Sequence, residues 1–187
     1  SIGRFAFQEC YGLESVYFLG NAPSVDLWGD YGDTSAFSGT TLATIYHLPG
    51  AAGWPPVPNA WAGRPTALTA LSINPASTNY SCAAASGRTI GVTGNAPWTA
   101  ATNQPWIIIT SGASGSTNGS VTYSVATNPG TSSRTGLITV AGAGLIRTCT
   151  VIQAGAAATL AIAPSSTNLS SAAARGRIIG VTANVSW

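Results

Sequence analysis

The sequence contains no lysine and no methionine, and charged side chains make up only 6% of its 187 residues, against roughly a quarter in an average globular chain. All seven basic residues are therefore arginine, and the formal net charge is +2. Arg175 and Arg177 are the only close pair, so there is no basic stripe to follow a nucleic acid backbone. All five carboxylates (Glu9, Glu14, Asp26, Asp30 and Asp33) lie near the start, and His47 is the only histidine. From Leu48 to Trp187 there is no Asp, Glu, His or Lys side chain. General acid–base catalysis normally draws on those groups, and hard cations need carboxylate oxygens. This segment is therefore expected to be non-catalytic and to hold no cofactor. No apolar run approaches the roughly 18 residues of a membrane span. No secretion signal is seen; Ser1 reads as lying inside a repeat, and the natural start is expected upstream of it.

In place of charge the chain uses Ser, Thr, Asn and Gly, a composition suited to short strands and tight turns. An internal repeat dominates its organisation. Leu71, Ile73, Pro75, Ser77, Thr78 and Asn79 return as Leu160, Ile162, Pro164, Ser166, Thr167 and Asn168, an offset of 89 residues. The match runs on through Gly87, Arg88, Ile90, Gly91, Val92 and Thr93 to Trp98, which returns as Trp187; 18 of the 28 aligned positions are identical. A tandem array with an 89-residue unit explains this, and residues 157–187 are then an incomplete second unit.

Within the complete unit, strand signals fall at 89–93, 106–110, 120–125, 136–140 and 146–152. Val121, Tyr123 and Val125 alternate with polar residues and should share one face. Asn128, Pro129 and Gly130 mark a turn, as do the residues from Ala141 to Gly144. Short strands broken every 8–12 residues predict a mainly β fold built as an antiparallel sandwich. No segment has helical periodicity.

The order Pro97, Trp98, Trp106, Val121 to Val125, Asn128, Arg134 to Val140 and Val151 to Gln153 resembles the BACON family over about residues 68–156. That family consists of immunoglobulin-like modules attached to secreted bacterial carbohydrate-active proteins. The resemblance implies an immunoglobulin-like sandwich over 67–156, an extracellular or cell-surface location, and a glycan or a host or cell-surface protein as partner. It carries over no residue-specific glycan motif.

The first 66 residues differ. Ile2, Gly3, Ala6, Phe7, Cys10, Leu13 and Val16, with a degenerate echo at Ala36, Phe37, Leu42, Ile45 and Leu48, are similar to the BspA-type leucine-rich repeat. Leu48 to Trp54 and Gly63 to Leu68 resemble the cap that closes such arrays, which implies the end of a leucine-rich-repeat solenoid over 1–66. A solenoid's last coil needs cover, and Trp54 and Trp61 are suited to supply it.

Candidate sites are few. His47 with Asp33 and a serine would satisfy the chemistry of a hydrolytic triad, but no nucleophile-elbow motif accompanies them. His47 also aligns with Phe18 of the preceding repeat, which makes it an ordinary strand position. Asp26, Asp30 and Asp33, separated by glycines, offer oxygen ligands for calcium without a known loop spacing; a solvated insertion is the simpler reading. Trp28, Tyr31, Trp54 and Trp61 are the candidate ligand-binding platforms, with Trp28 and Tyr31 expected to be the most exposed. Trp98 and Trp106 open strands, and the recurrence of Trp98 argues for core packing. Asn79, Asn118, Asn168 and Asn184 stand in glycosylation patterns. Three cysteines leave at least one unpaired: a Cys82–Cys149 bridge, with Cys10 as a buried thiol, is one arrangement among those the sequence permits.

The functional expectation is a non-catalytic fragment of a secreted or cell-surface protein, serving adhesion or carbohydrate binding. A pure spacer and a hydrolase built on His47 are the alternatives. The two-strand tail at 157–187 is expected to pack on the complete unit or to self-associate.

Overall fold

The computed structural model describes residues 1–3, 5–24, 35–168 and 176–186. The first unit is a small sheet. Strands β1 (Ser15–Phe18), β2 (Thr44–His47), β3 (Ala60–Trp61) and β4 (Arg64–Leu68) lie in the order β1-β2-β4-β3. The pairs β1–β2 and β2–β4 are parallel, with Val16 opposite Ile45, Phe18 opposite His47 and Ile45 opposite Thr66. Because side chains alternate across a strand, Ile45, His47 and Thr66 point inward and are buried. A 3-10 turn at Ser35–Phe37 brings Ala36 and Phe37 onto Ile45 and Ala62 to form the core, with Ile2, Phe7, Val16, Phe18, Trp54 and Trp61 packed around it. The opposite face carries Tyr17 and Tyr46, whose rings stack at 4.9 Å.

Two residues after β4 the chain enters a β-sandwich. One sheet has the order β5 (Leu71–Asn74), β7 (Ala85–Gly94), β11 (Gly119–Val125), β9 (Ile107–Ser111). The other has the order β10 (Ser114–Gly115), β8 (Trp98–Thr102), β12 (Arg134–Gly142), β13 (Leu145–Gln153), β6 (Ser77–Tyr80). The chain changes sheets between β5 and β6 at Pro75, a residue with no N–H to continue a ladder. All pairs are antiparallel except β13–β6. The five expected strands are present as β7, β9, β11, β12 and β13; β8 was hidden because its Thr and Ala residues alternate only weakly in hydropathy. Gly142, at the end of the neighbouring β12, is required by proximity: a Cβ there would collide with the Pro97 carbonyl and lie 2.9 Å from Trp98 Cα. The β12–β13 hairpin closes through Ala143 and Gly144, both at positive φ, as a two-residue hairpin turn demands.

The sandwich core joins Leu71, Ile90, Val92, Ile107, Val121, Tyr123 and Val125 from one sheet with Trp98, Ile138, Val140, Cys149 and Val151 from the other. Val121, Tyr123 and Val125 do share the inward face. The one phenol at the centre is satisfied: Tyr123 Oη lies 2.8 Å from Tyr80 Oη and 3.3 Å from Thr78 Oγ1. Its surroundings push its pKa up, chiefly through burial. Burial likewise raises the pKa of the Cys149 thiol.

The tail forms a hairpin of β14 (Leu160–Ala163) and β15 (Gly180–Ala183). Its register, Leu160 opposite Ala183 and Ile162 opposite Val181, reproduces Leu71 opposite Gly94 and Ile73 opposite Val92 at the same offset of 89 residues. The expected packing of this tail on the complete unit is not formed: Leu160, Ile162, Ile178 and Ile179 are all exposed, Ile178 to 85%. Seven of the eight residues in the two strands are exposed. The pairing is local, so the hairpin forms, but among the described residues no second sheet stands opposite its apolar face.

Candidate functional site

The inward alternation of β2 decides the fate of His47. It is 5% exposed, its Nδ1 sits 3.2 Å from the Leu48 carbonyl, and its ring stacks on Trp54 at 4.8 Å and 4°. Among the described residues its Nε2 has no hydrogen-bond partner, and neither does the buried Nε of Arg64, whose terminal nitrogen donates to the Phe37 carbonyl. The register opposite Phe18 is the one the repeat alignment predicts. Its expected companion Asp33 lies outside the described residues, as do Asp26, Asp30, Trp28 and Tyr31. Among the described residues no group of His, Cys, Asp and Glu is arranged to hold a metal ion.

Trp54 and Trp61 are packed, not presented. Their rings lie 5.0 Å apart and both touch Phe18, at 5.2 and 5.7 Å; Trp54 Nε1 donates to the Gly20 carbonyl. Sequence reasoning missed a second aromatic pair, Tyr17 and Tyr46, on the outward face of the same sheet. The signal was available: each tyrosine immediately precedes one of the aligned residues Phe18 and His47.

In the sandwich, the residues that carry the family resemblance form a polar network at one end. Gln153 is fully buried; its Nε2 donates to the carbonyls of Cys82, Ala83 and Ala126, and its Oε1 accepts from Arg134 Nε at 2.9 Å. Arg134 also donates to the carbonyls of Ala126 and Thr127 and lies 4.3 Å over the Trp106 ring. Asn128 Nδ2 reaches the carbonyls of Ser132 and Ala154. Each group satisfies loop carbonyls that would otherwise be lost to water. Trp98 is buried at 3% exposure, and its Nε1 donates to the Thr117 carbonyl.

All three cysteines are free, so the Cys82–Cys149 bridge is not made. The reason is register. Tyr80 pairs with Gln153, four residues along β13 from Cys149, and Cys82 lies further still from it. At ~3.3 Å per residue the two sites are separated by more than ~13 Å, well beyond the ~7 Å limit for a disulfide. Cys10, expected to be buried, is exposed.

Two clefts remain. One, of about 510 Å³, is lined by Pro97, Trp98, Thr99, Ser114, Ser116 and Ala141. The other, of about 290 Å³, lies beside the exposed Ile108, between Ser86 and Ser124. The first offers hydroxyls and backbone groups with no charged side chain. Such a lining can hydrogen-bond a neutral polar ligand; it supplies no acid, base or nucleophile pair.

Residues 96–154 match the BACON family model. That family is described as "Putative binding domain, N-terminal". The matched stretch runs from β8 to the end of β13 and contains Gln153, Arg134, Asn128 and the larger cleft, but not the Cys82 and Ala83 carbonyls that Gln153 holds. The chain is also similar to a Bacteroides ovatus GH5 xyloglucanase solved with a XXXG heptasaccharide, at 21% identity and a TM-score of 0.43. That alignment covers 46% of this chain and 19% of the xyloglucanase, so the chain spans about a fifth of its length. A protein from Bacteroides thetaiotaomicron aligns at 9% identity and TM-score 0.30, over 43% of this chain and 77% of its own. One from Bacteroides vulgatus aligns at 18% and 0.25, over 47% and 92%. No curated protein matches the chain.

Proposed function

We propose that the chain is a non-catalytic, carbohydrate-related part of a larger secreted or cell-surface protein, in which the sandwich holds neighbouring parts at a distance. The observation that carries this reading is the orientation of the aromatics in the BACON-matching unit. Trp98 and Tyr123 are buried, Trp106 lies under Arg134 and Tyr80 under Arg88. Among the described residues the sandwich thus leaves no bare ring for a sugar to stack on. The first unit is read as the end of a leucine-rich-repeat array, supported by its parallel register and its tryptophan cover. In that reading it belongs to the recognition surface, facing a glycan or a host or cell-surface protein, and the β14–β15 hairpin opens a second sandwich.

A binding role for the sandwich is the second reading, favoured by the hydroxyl-lined cleft at Ser114 and Ser116. Affinity electrophoresis on xyloglucan and other neutral polysaccharides separates the two. The spacer reading expects unchanged mobility. Retardation that disappears in a Ser114→Trp variant, which fills the cleft, would overturn it in favour of binding.

A further inference from the structure

Both places where one unit passes into the next are fastened in the same way. At the first, Asn95 in the β7–β8 turn reaches back to the segment that precedes its own sandwich. Its Nδ2 donates to the Leu68 carbonyl at 2.9 Å, and its Oδ1 accepts from the Ala70 amide at 2.8 Å. At the second, Asn184 follows β15 as Asn95 follows β7. Its Nδ2 donates to the Ala157 carbonyl at 2.8 Å, and its Oδ1 accepts from the Thr159 amide at 2.8 Å. The backbone joins in at both: Asn95 N donates to the Ala70 carbonyl and Asn184 N to the Thr159 carbonyl. An amide side chain is suited to this, because one planar group donates on one side and accepts on the other.

The rest of each joint leaves little freedom. At the first, the Thr69 amide donates to the His47 carbonyl, and Tyr17 Oη donates to the carbonyl of Asn95 itself at 2.9 Å. The fastening residue is thereby gripped by the preceding unit. The Ala143–Gly144 turn closes the other side, where a Cβ on Gly144 would stand 3.2 Å from Leu48 and 3.4 Å from Leu19. At the second, Ala154 N donates to the Tyr80 carbonyl and Ala156 N to the Gly130 carbonyl. Between them Gly155 lies so close to Thr131 and Ser132 that a Cβ would collide with their backbone. Only Ala158 separates the carbonyl and amide that Asn184 holds.

We infer that Asn95 and Asn184 are equivalent joint pins, each carried just after the second strand of its hairpin, β7 or β15, and that they lock each unit at a set angle to the one before. The chain is then a stiff rod, not beads on a flexible thread. This rests on the spacer reading for its use, while the joints themselves rest on geometry alone.

Distance measurement between nitroxide labels tests the first joint in the intact chain. One label takes the exposed Cys10 and the other a Thr89→Cys variant, with Cys82→Ser to avoid a third site. The parent should give one narrow distance distribution. Asn95→Ala should at least double its width, and Asn95→Asp should do the same by turning the donor toward Leu68 into an acceptor. Tyr17→Phe, which alters only the first unit and removes the bond to the Asn95 carbonyl, should broaden it as well. For the second joint, amide relaxation at Ala157 and Ala158 should fall to the flexible range, order parameters below about 0.6, in Asn184→Ala only. A broad distribution in the parent overturns the inference. So does an unchanged width in an Asn95→Asp protein that still unfolds cooperatively. Either result leaves the spacer reading intact, whereas polysaccharide binding with narrow distances would remove that reading and keep the joint.

Discussion

Gln153 shows how a polar side chain becomes structural once it is buried. Its amide answers three carbonyls and one guanidinium, and the side chain itself is fully buried. A buried group left unsatisfied costs about 1–3 kcal/mol. Gln153→Leu keeps the approximate volume and deletes all four bonds, so unfolding in urea should show a loss of about 2–4 kcal/mol. At the core centre the sign of a pH effect follows from burial. Tyr123 and Cys149 hold their protons more tightly when folded than at their ordinary values of 10.0 and 9.0. Below those values both states are protonated and the contribution is complete. Above them the unfolded chain releases protons first, so stability should decline as pH rises from about 9 through 11. Denaturant midpoints across that range should fall for the parent and fall less steeply for Tyr123→Phe.

Two copies of one hairpin, in the same register, have opposite environments. In β5–β7, Leu71, Ile90 and Val92 are buried against the second sheet. In the tail the equivalent Leu160 of β14, Val181 of β15 and Ile179 just before β15 are exposed. A two-stranded ribbon without an opposing layer is marginal in water, and local opening needs little energy where few contacts must break. Amide exchange read by mass spectrometry should therefore be at least a hundredfold faster across 160–163 and 180–183 than across 71–74 and 90–94. Equal protection in a monomer would mean that the tail has found a partner surface.

Across the whole molecule, the joints connect units whose cores are separate. The first unit packs around Phe37 and Ile45, the sandwich around Tyr123 and Ile138, and among the described residues none belongs to both clusters. Removing residues 157–187 takes away the exposed hairpin and leaves the Gln153 network and both cores in place. Calorimetry should then find the main transition within about 2 °C of the parent, since a shift of that size corresponds to less than ~1 kcal/mol for a domain of this size. A larger fall would show that the second joint also braces the sandwich.

The sequence alone carried the repeat offset, the strand-rich class, the inward face of β11 and the absence of Asp, Glu, His and Lys from 48–187. Those are local or compositional properties, written in spacing and residue type. It also placed His47 opposite Phe18, because aligned repeats become paired strands. It did not reveal the role of Arg134 and Gln153, which meet from different strands. It did not reveal the separation of Cys82 from Cys149, which is set by the parallel pairing of β6 with β13. Nor did it identify Asn95 and Asn184 as fasteners, although their recurrence was visible: a side-chain amide acquires that role only when folding brings the preceding linker within hydrogen-bond reach. The aromatics divide along the same line. Which ones recur can be read from the chain, but whether a ring faces solvent or core depends on which sheet closes over it.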